Sequence, residues 1–167
     1  MKLLLLAFLL CCVTIAQAQK PRTVVNKIAD EIKTAGPDWM CATDKLPEGT
    51  PGPNSPVGTK LQFSCTKAEL FATVYVFVGF SDKDAENALV ISQRLQINLS
   101  KPTRAFGTEA YELKDQRLSW IAFRRENIFG QIKVQINDRM AKHLPDAERL
   151  IEETRFLAQV VDRAISR

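Results

Sequence analysis

The sequence is poor in the residues from which most catalytic and metal sites are built. Its 167 residues include one histidine and four cysteines, so few side chains are available for histidine-based catalysis or for Cys/His metal coordination. The chain has no G-x-x-x-x-G-K, G-x-G-x-x-G or G-x-S-x-G pattern, and so nothing indicates a nucleotide-binding loop or a nucleophile elbow. A formal net charge of +4 is far below what a nucleic-acid-binding surface needs. We therefore predict no catalytic residues, cofactor, metal or nucleic-acid partner.

The overall composition is that of an ordinary globular domain. Apolar residues make up 46% of the chain, charged residues 25% and aromatic residues 8%, which is neither a disordered nor a multi-span membrane profile. The length suffices for one hydrophobic core of useful size, whereas two full domains would be cramped.

The N-terminus has the pattern of a secretory signal peptide. A positively charged start at Met1-Lys2 precedes an apolar run at 3–16, and small residues follow at Ala16 and Ala18. The apolar run is shorter than the roughly 20 residues of a membrane-spanning helix. We predict a signal peptide at 1–18, a domain at 19–167 that is secreted or periplasmic, and no integral membrane span after cleavage.

Export determines how the cysteines are interpreted. Cys11 and Cys12 lie in the predicted signal peptide, so Cys41 and Cys65 are the pair that remains. In an oxidising compartment, two cysteines have one intramolecular pairing available. We predict a Cys41–Cys65 disulfide, worth about 3 kcal/mol in the chain-entropy model. The alternative, a redox or metal pair, lacks the C-x-x-C spacing.

Hydrophobic periodicity predicts an α+β fold. Apolar residues at helical spacing occur before Gly36, after a capping-box-like Ser81, and after Pro145, and a Pro/Gly-rich loop occupies 47–58. Alternating apolar residues predict a half-buried strand at 61–65, and a run that is apolar on both faces predicts a central strand at 70–80. Three further strands are expected at 105–113, 117–125 and 128–137. The expected order is α-β-β-α-β-β-β-α, with a single antiparallel sheet of about five strands and flanking helices.

The last three strands form an antiparallel meander because the turns between them are short. Two-residue turns would pair Leu113 with Leu118, and Lys133 with Trp120 as a possible cation–π pair. This register collects aliphatic residues on one face and mixes aromatic with charged residues on the other. The mixed face supplies the candidate binding residues: Tyr111, Trp120, Arg124, Phe129 and Lys133. The alternative is that a helix covers this face and the charges lie at its edge.

Three short motifs resemble a known group of proteins. They are FGTEAY at 106–111, WIAFRREN at 120–127 and IKV at 132–134. Together they are similar to small exported bacterial envelope proteins in which a Gly-x-Glu-Ala strand precedes a hairpin and a long final helix. Some of those proteins have been likened to the Mog1/PsbP-like α-β-α sandwich. The resemblance covers about 105–165 and implies that fold, export and a non-enzymatic role, but it assigns no functional residues.

These observations favour an exported, non-catalytic domain, stabilised by one disulfide, that binds an unknown protein or small-molecule ligand. One alternative is a small exported hydrolase, and a cleft gathering His143, Asp146 and a buried carboxylate would favour it. Another is an inhibitor that acts through the 47–58 loop.

Overall fold

The structure, a computed structural model, describes residues 21–44, 56–96, 99–137 and 146–166. The predicted signal peptide at 1–18, residues 47–55 of the predicted loop, and His143 lie outside the described residues. No helix within the described ranges is long and apolar enough to cross a membrane. Three helices and seven strands occur in these ranges: α1 Pro21–Ala35, β1 Met40–Asp44, β2 Gly58–Lys67, β3 Leu70–Gly79, α2 Asp82–Arg94, β4 Lys101–Thr103, β5 Glu109–Lys114, β6 Leu118–Arg125, β7 Ile128–Ile136 and α3 Ala147–Ser166.

The predicted fold class is confirmed, but the predicted number of strands is wrong. The chain forms one antiparallel sheet of seven strands in the order β1-β2-β3-β7-β6-β5-β4. The element order is therefore α-β-β-β-α-β-β-β-β-α. The two strands that the sequence pattern missed, β1 and β4, are the two edges of the sheet. Neither alternates between buried and exposed residues, and β4 contains Pro102, which edge strands tolerate.

The main hydrophobic core lies between one face of the sheet and two helices. Helix α1 packs beside α3, and α3 packs on β6 and β7. Apolar residues recur on one side of each helix, as at Ile28 in α1 and Leu157 in α3, and these two side chains are fully buried. They join inward-pointing strand residues such as Val74 and Ile132 in one cluster.

Helix α2 covers part of the opposite face, where it contacts β3, β6 and β7. Its N-terminus has the predicted capping box: the Asp84 N–H donates to Ser81 Oγ at 3.3 Å, and the Ser81 N–H donates to Asp84 Oδ2 at 3.0 Å. The hydrogen bond from the Ser81 hydroxyl is the main cause that lowers the pKa of Asp84, against the raising effect of burial. The cap fixes the position where α2 begins and so sets which residues of α2 face the sheet.

The meander has the predicted faces, with one change of register. Lys133 lies opposite Trp120 in the β6–β7 pair, as expected. In the β5–β6 pair Leu113 lies opposite Trp120 instead of Leu118, because the turn lies one residue later than predicted, at 116–117, where the Asp115 N–H donates to the Leu118 carbonyl oxygen at 2.8 Å. Since side chains alternate with a period of two, a slip of two residues leaves every side chain on its predicted face.

The predicted disulfide is confirmed. Cys41 and Cys65 are direct partners in the β1–β2 pair, and their sulfur atoms are 2.08 Å apart. The bond attaches the edge strand β1 covalently to β2.

Candidate ligand-binding groove

A groove lies on the face of the sheet that carries α2. Because α2 packs mainly on β3, β6 and β7, it leaves the β2 side of this face without a helix in the described part of the chain. The groove between α2 and strands β2, β3 and β7 has a volume of about 290 Å³. Its lining residues are Pro56, Lys60, Tyr75, Phe77, Ala88, Ile91, Ser92, Leu95, Phe129 and Gln131.

Strand register brings the floor of the groove together. Phe77 of β3 lies between Lys60 of β2 and Phe129 of β7, and Tyr75 lies opposite Gln131. Residues two apart in a strand share a face, so Tyr75 and Phe77 point towards α2 while their neighbours in β3 point into the main core. The floor is therefore built by the consecutive strands β2 and β3 together with β7, which is far from them in sequence.

The wall of the groove is the apolar side of α2. Ala88, Ile91 and Leu95 follow one another at three- and four-residue spacing, which places them on one side of the helix. Ala88 is buried, but Ile91 is 42% exposed and Leu95 is 79% exposed. Exposed aliphatic side chains beside a concavity are typical of a contact surface.

Some polar atoms on the floor have no hydrogen-bond partner in the described part of the chain. The Ser92 hydroxyl donates to Gln131 Oε1 at 2.7 Å, which leaves the amide nitrogen of Gln131 turned away from that bond. The Tyr75 hydroxyl has no hydrogen-bond partner among the described residues, and burial raises the pKa of this phenol. Lys60 is exposed and forms no ion pair with any residue that the structure describes. The groove thus presents an ammonium, a protonated phenol and an amide N–H.

The structure separates the five residues that the sequence predicted as one surface. Phe129 lines the groove. Trp120 is only 3% exposed and belongs to a buried cluster with Leu89 of α2 and Leu113 of β5. Helix α2 therefore covers part of the predicted face, in agreement with the alternative that a helix lies over it. The Trp120 ring packs against α2 in the interior.

Tyr111 and Arg124 lie on the β5–β6 side of α2, outside the groove. The Tyr111 hydroxyl donates to Glu109 Oε1 at 3.2 Å, and Arg124 Nε donates to Glu109 Oε2 at 3.0 Å. Burial, followed by the Glu109 carboxylate, raises the pKa of Tyr111. These three side chains form hydrogen bonds with one another, so few of their donors and acceptors remain for a ligand.

Lys133 is half-buried opposite Trp120 and does not line the groove. The cation–π contact found among the described residues lies elsewhere, where Lys67 Nζ is 5.8 Å from the centroid of the Trp39 ring. Lys133 therefore stands on the same face as the groove, one row of residues away from it.

The residues of the hydrolase hypothesis do not form a described site. Asp146 is exposed and accepts a hydrogen bond from the Glu148 N–H at 3.1 Å, at the start of α3. His143 lies outside the described residues. Within the described ranges no group of three His, Cys, Asp or Glu side chains could hold a metal ion.

Sequence reasoning missed most of the groove: Lys60, Tyr75, Ser92 and Gln131. The alternation of Tyr75 and Phe77 with valines in β3 was visible in the sequence. It became informative only once β3 was known to pair with β7, a long-range contact that no local pattern indicates.

Comparison with known proteins adds information about the fold. No family model and no curated protein matches the sequence. Among solved structures, the chain is similar to the extracellular domain of PknH from Mycobacterium tuberculosis, with a TM-score of 0.56 and 8% sequence identity. The alignment covers 90% of this chain and 99% of that chain. At this identity the likeness shows a shared fold, and residue roles do not carry over.

Proposed function

We propose that this chain is an exported, non-catalytic binding domain and that the groove beside α2 binds a small ligand. The observation that carries the proposal is the combination of two kinds of side chain. On the floor, the Tyr75 hydroxyl and the Gln131 NH₂ group have no hydrogen-bond partner among the described residues, and on the wall Ile91 and Leu95 are exposed. Small-molecule sites combine a mostly apolar concavity with a few convergent polar groups in this way.

Three observations support export. The 1–18 segment has the pattern of a signal peptide, Cys41 and Cys65 form a disulfide, and the fold is shared with an extracellular domain. Secretion or a periplasmic location accounts for all three. The resemblance of 105–165 to exported envelope proteins with a Mog1/PsbP-like fold stays a prediction that agrees with this location.

The chemistry of the lining supports binding over catalysis. Lys60 and Tyr75 are the titratable groups among the described lining residues, which include no carboxylate, histidine or thiol. General acid–base catalysis needs a group whose pKa lies near neutral pH and within reach of the reacting atoms. A raised pKa keeps the Tyr75 phenol protonated, so it serves as a hydrogen-bond donor and not as a base.

The proposal is tested by mapping fragment binding with ¹H–¹⁵N correlation spectra. The ¹⁵N-labelled protein is mixed separately with neutral, cationic and anionic phenyl-substituted fragments at about 1 mM. We expect at least one class to shift the amide signals of Lys60, Tyr75 and Gln131. Absence of shifts at these positions with all three classes would contradict the proposal.

A pair of matched hydroxyl deletions sharpens this test. Tyr75→Phe removes a hydroxyl from the floor and keeps the ring, and we expect it to weaken fragment binding. Thr73→Val removes a hydroxyl from the same face of β3 but outside the groove lining, and it should leave binding unchanged. Equal effects of the two variants would count against the groove as the site.

A further inference from the structure

The free polar groups of the groove share one property: each can donate a hydrogen bond. The Lys60 ammonium has three donors and no acceptor. Ser92 donates to the Gln131 carbonyl oxygen, so the part of the Gln131 amide that stays free is its NH₂ group. The Tyr75 hydroxyl has no partner in the described part of the chain. A ligand that satisfies all three must supply acceptors.

The Asp44 carboxylate stands on the same face of the sheet as the groove but is not among its described lining residues. Asp44 lies opposite Gln62 in the β1–β2 pair, and Gln62 lies opposite Tyr75, so the carboxylate is two strands away from Tyr75. Its carboxylate accepts hydrogen bonds from the Ser64 hydroxyl and from Gln62 Nε2, at 2.5 and 3.0 Å, and these bonds lower the pKa of Asp44. Among the lining residues that the structure describes, Lys60 carries the one formal charge, and it is positive.

The remaining lining residues are apolar, and they determine which group the other end of the ligand carries. The Phe77 and Phe129 rings are buried in the floor, and Ile91 and Leu95 form the exposed rim. A volume of about 290 Å³ is at the lower limit of ligand pockets in general. The space suits one aromatic ring or a branched aliphatic group.

We infer that the ligand of this groove is a small organic acid, with a carboxylate or similar anionic group near Lys60, Tyr75 and Gln131 and an aromatic or branched apolar body against α2. This inference rests on the proposed function and names the class of ligand. Hydrogen bonds to an ionised acceptor are roughly twice as strong as those between neutral groups, so the donor set discriminates an acid from its neutral counterpart.

The test compares three probes of the same size: 4-phenylbutanoate, 4-phenylbutanamide and 4-phenylbutylammonium. Dissociation constants come from ¹H–¹⁵N titrations at pH 7. We expect the acid to bind about tenfold more tightly than the amide and the ammonium to bind most weakly, because only the acid offers an ionised acceptor and a charge opposite to that of Lys60. Raising NaCl from about 50 to 500 mM should weaken binding of the acid and leave the amide unaffected, since Lys60 is exposed to screening.

Two matched charge deletions show whether the preference for the acid comes from Lys60. Lys60→Gln should remove most of the preference for the acid over the amide. Lys101→Gln, at an exposed position of the edge strand β4 on the far side of the sheet, removes the same charge and should retain the full preference. Equal losses in the two variants would show that net charge, and not the groove, selects the acid, and would overturn the inference.

The outcomes separate the two proposals. Equal binding of acid and amide at the groove, or a preference for the ammonium, overturns the acid as ligand class while the groove remains a binding site. Shifts confined to positions outside the groove, or no shifts with any probe, overturn the binding site itself.

Discussion

Trp120 provides the sharpest test of how the α2-bearing face is built. The side chain is 3% exposed and packs between the sheet and α2. Burial of an aromatic side chain removes about 150–250 Å² from water, which at about 25 cal/mol/Å² corresponds to about 4–6 kcal/mol as an upper bound. Substitutions of buried aromatic residues by alanine cost about 3–5 kcal/mol. We therefore expect Trp120→Ala to lower the free energy of unfolding by about 3–5 kcal/mol.

The assay is urea unfolding followed by far-UV circular dichroism. Trp120→Phe, which keeps an aromatic ring in the cluster, is the control and should lose clearly less stability than Trp120→Ala. Binding of 4-phenylbutanoate, measured under conditions where Trp120→Ala is folded, should change little because Trp120 does not line the groove.

Two results would refute this reasoning. A loss below about 1 kcal/mol for Trp120→Ala would mean that the ring is not packed beneath α2, since surface substitutions have effects of that size. Normal stability together with loss of binding would instead support the sequence-based hypothesis that Trp120 is part of a contact surface.

Three further predictions follow from local features of the fold. Reduction of the β1–β2 disulfide, which spans a sequence separation of 24, should lower the free energy of unfolding by about 3 kcal/mol in urea titrations with and without reductant; an unchanged midpoint would contradict it. The Ser81 hydroxyl lowers the pKa of Asp84 below 3.8, so the carboxylate stabilises the fold above that pH and the contribution is lost as the pH falls through the native pKa. Asp84→Asn should accordingly lower the melting temperature at pH 7 and have a much smaller effect at pH 2, and equal effects would be inconsistent with this linkage. A Cβ at Gly130 would lie 2.8 Å from Cζ of the buried Phe123 ring, so Gly130→Ala should cost about 1–3 kcal/mol in the same urea assay, and a neutral result would show that the ring can move.

Local sequence patterns were sufficient for the interior of the fold. Alternation and helical spacing identify elements that bury one face, which is why the five inner strands and the three helices could be predicted. The β6–β7 register followed from a short turn combined with the sorting of aliphatic residues onto one face. Edge strands bury little, so β1 and β4 carry no such signal.

The candidate site could be predicted only in part, for two physical reasons. First, Tyr75 and Gln131 meet because β3 pairs with β7, and this long-range pairing is not encoded in the local pattern of either strand. Second, an aromatic residue in an alternating strand has the same pattern whether a helix covers it or a ligand contacts it. Trp120 and Phe129 alternate alike and are both buried in one cluster, and only the placement of α2 determines that Phe129 borders the groove and Trp120 does not.

The strand order has a consequence for how the protein folds. Strands β1 to β3 form one sequence-local antiparallel unit and β4 to β7 form another, and the sheet joins the two units through the β3–β7 pair alone. Hairpins close short loops quickly, whereas the β3–β7 pair must close a long one, so we expect its formation to limit the folding rate. Lys60 and Tyr75 belong to the first unit and Phe129 and Gln131 to the second. The groove therefore forms only when the two units pair. Because a bound ligand contacts residues of both units, we expect it to slow their separation.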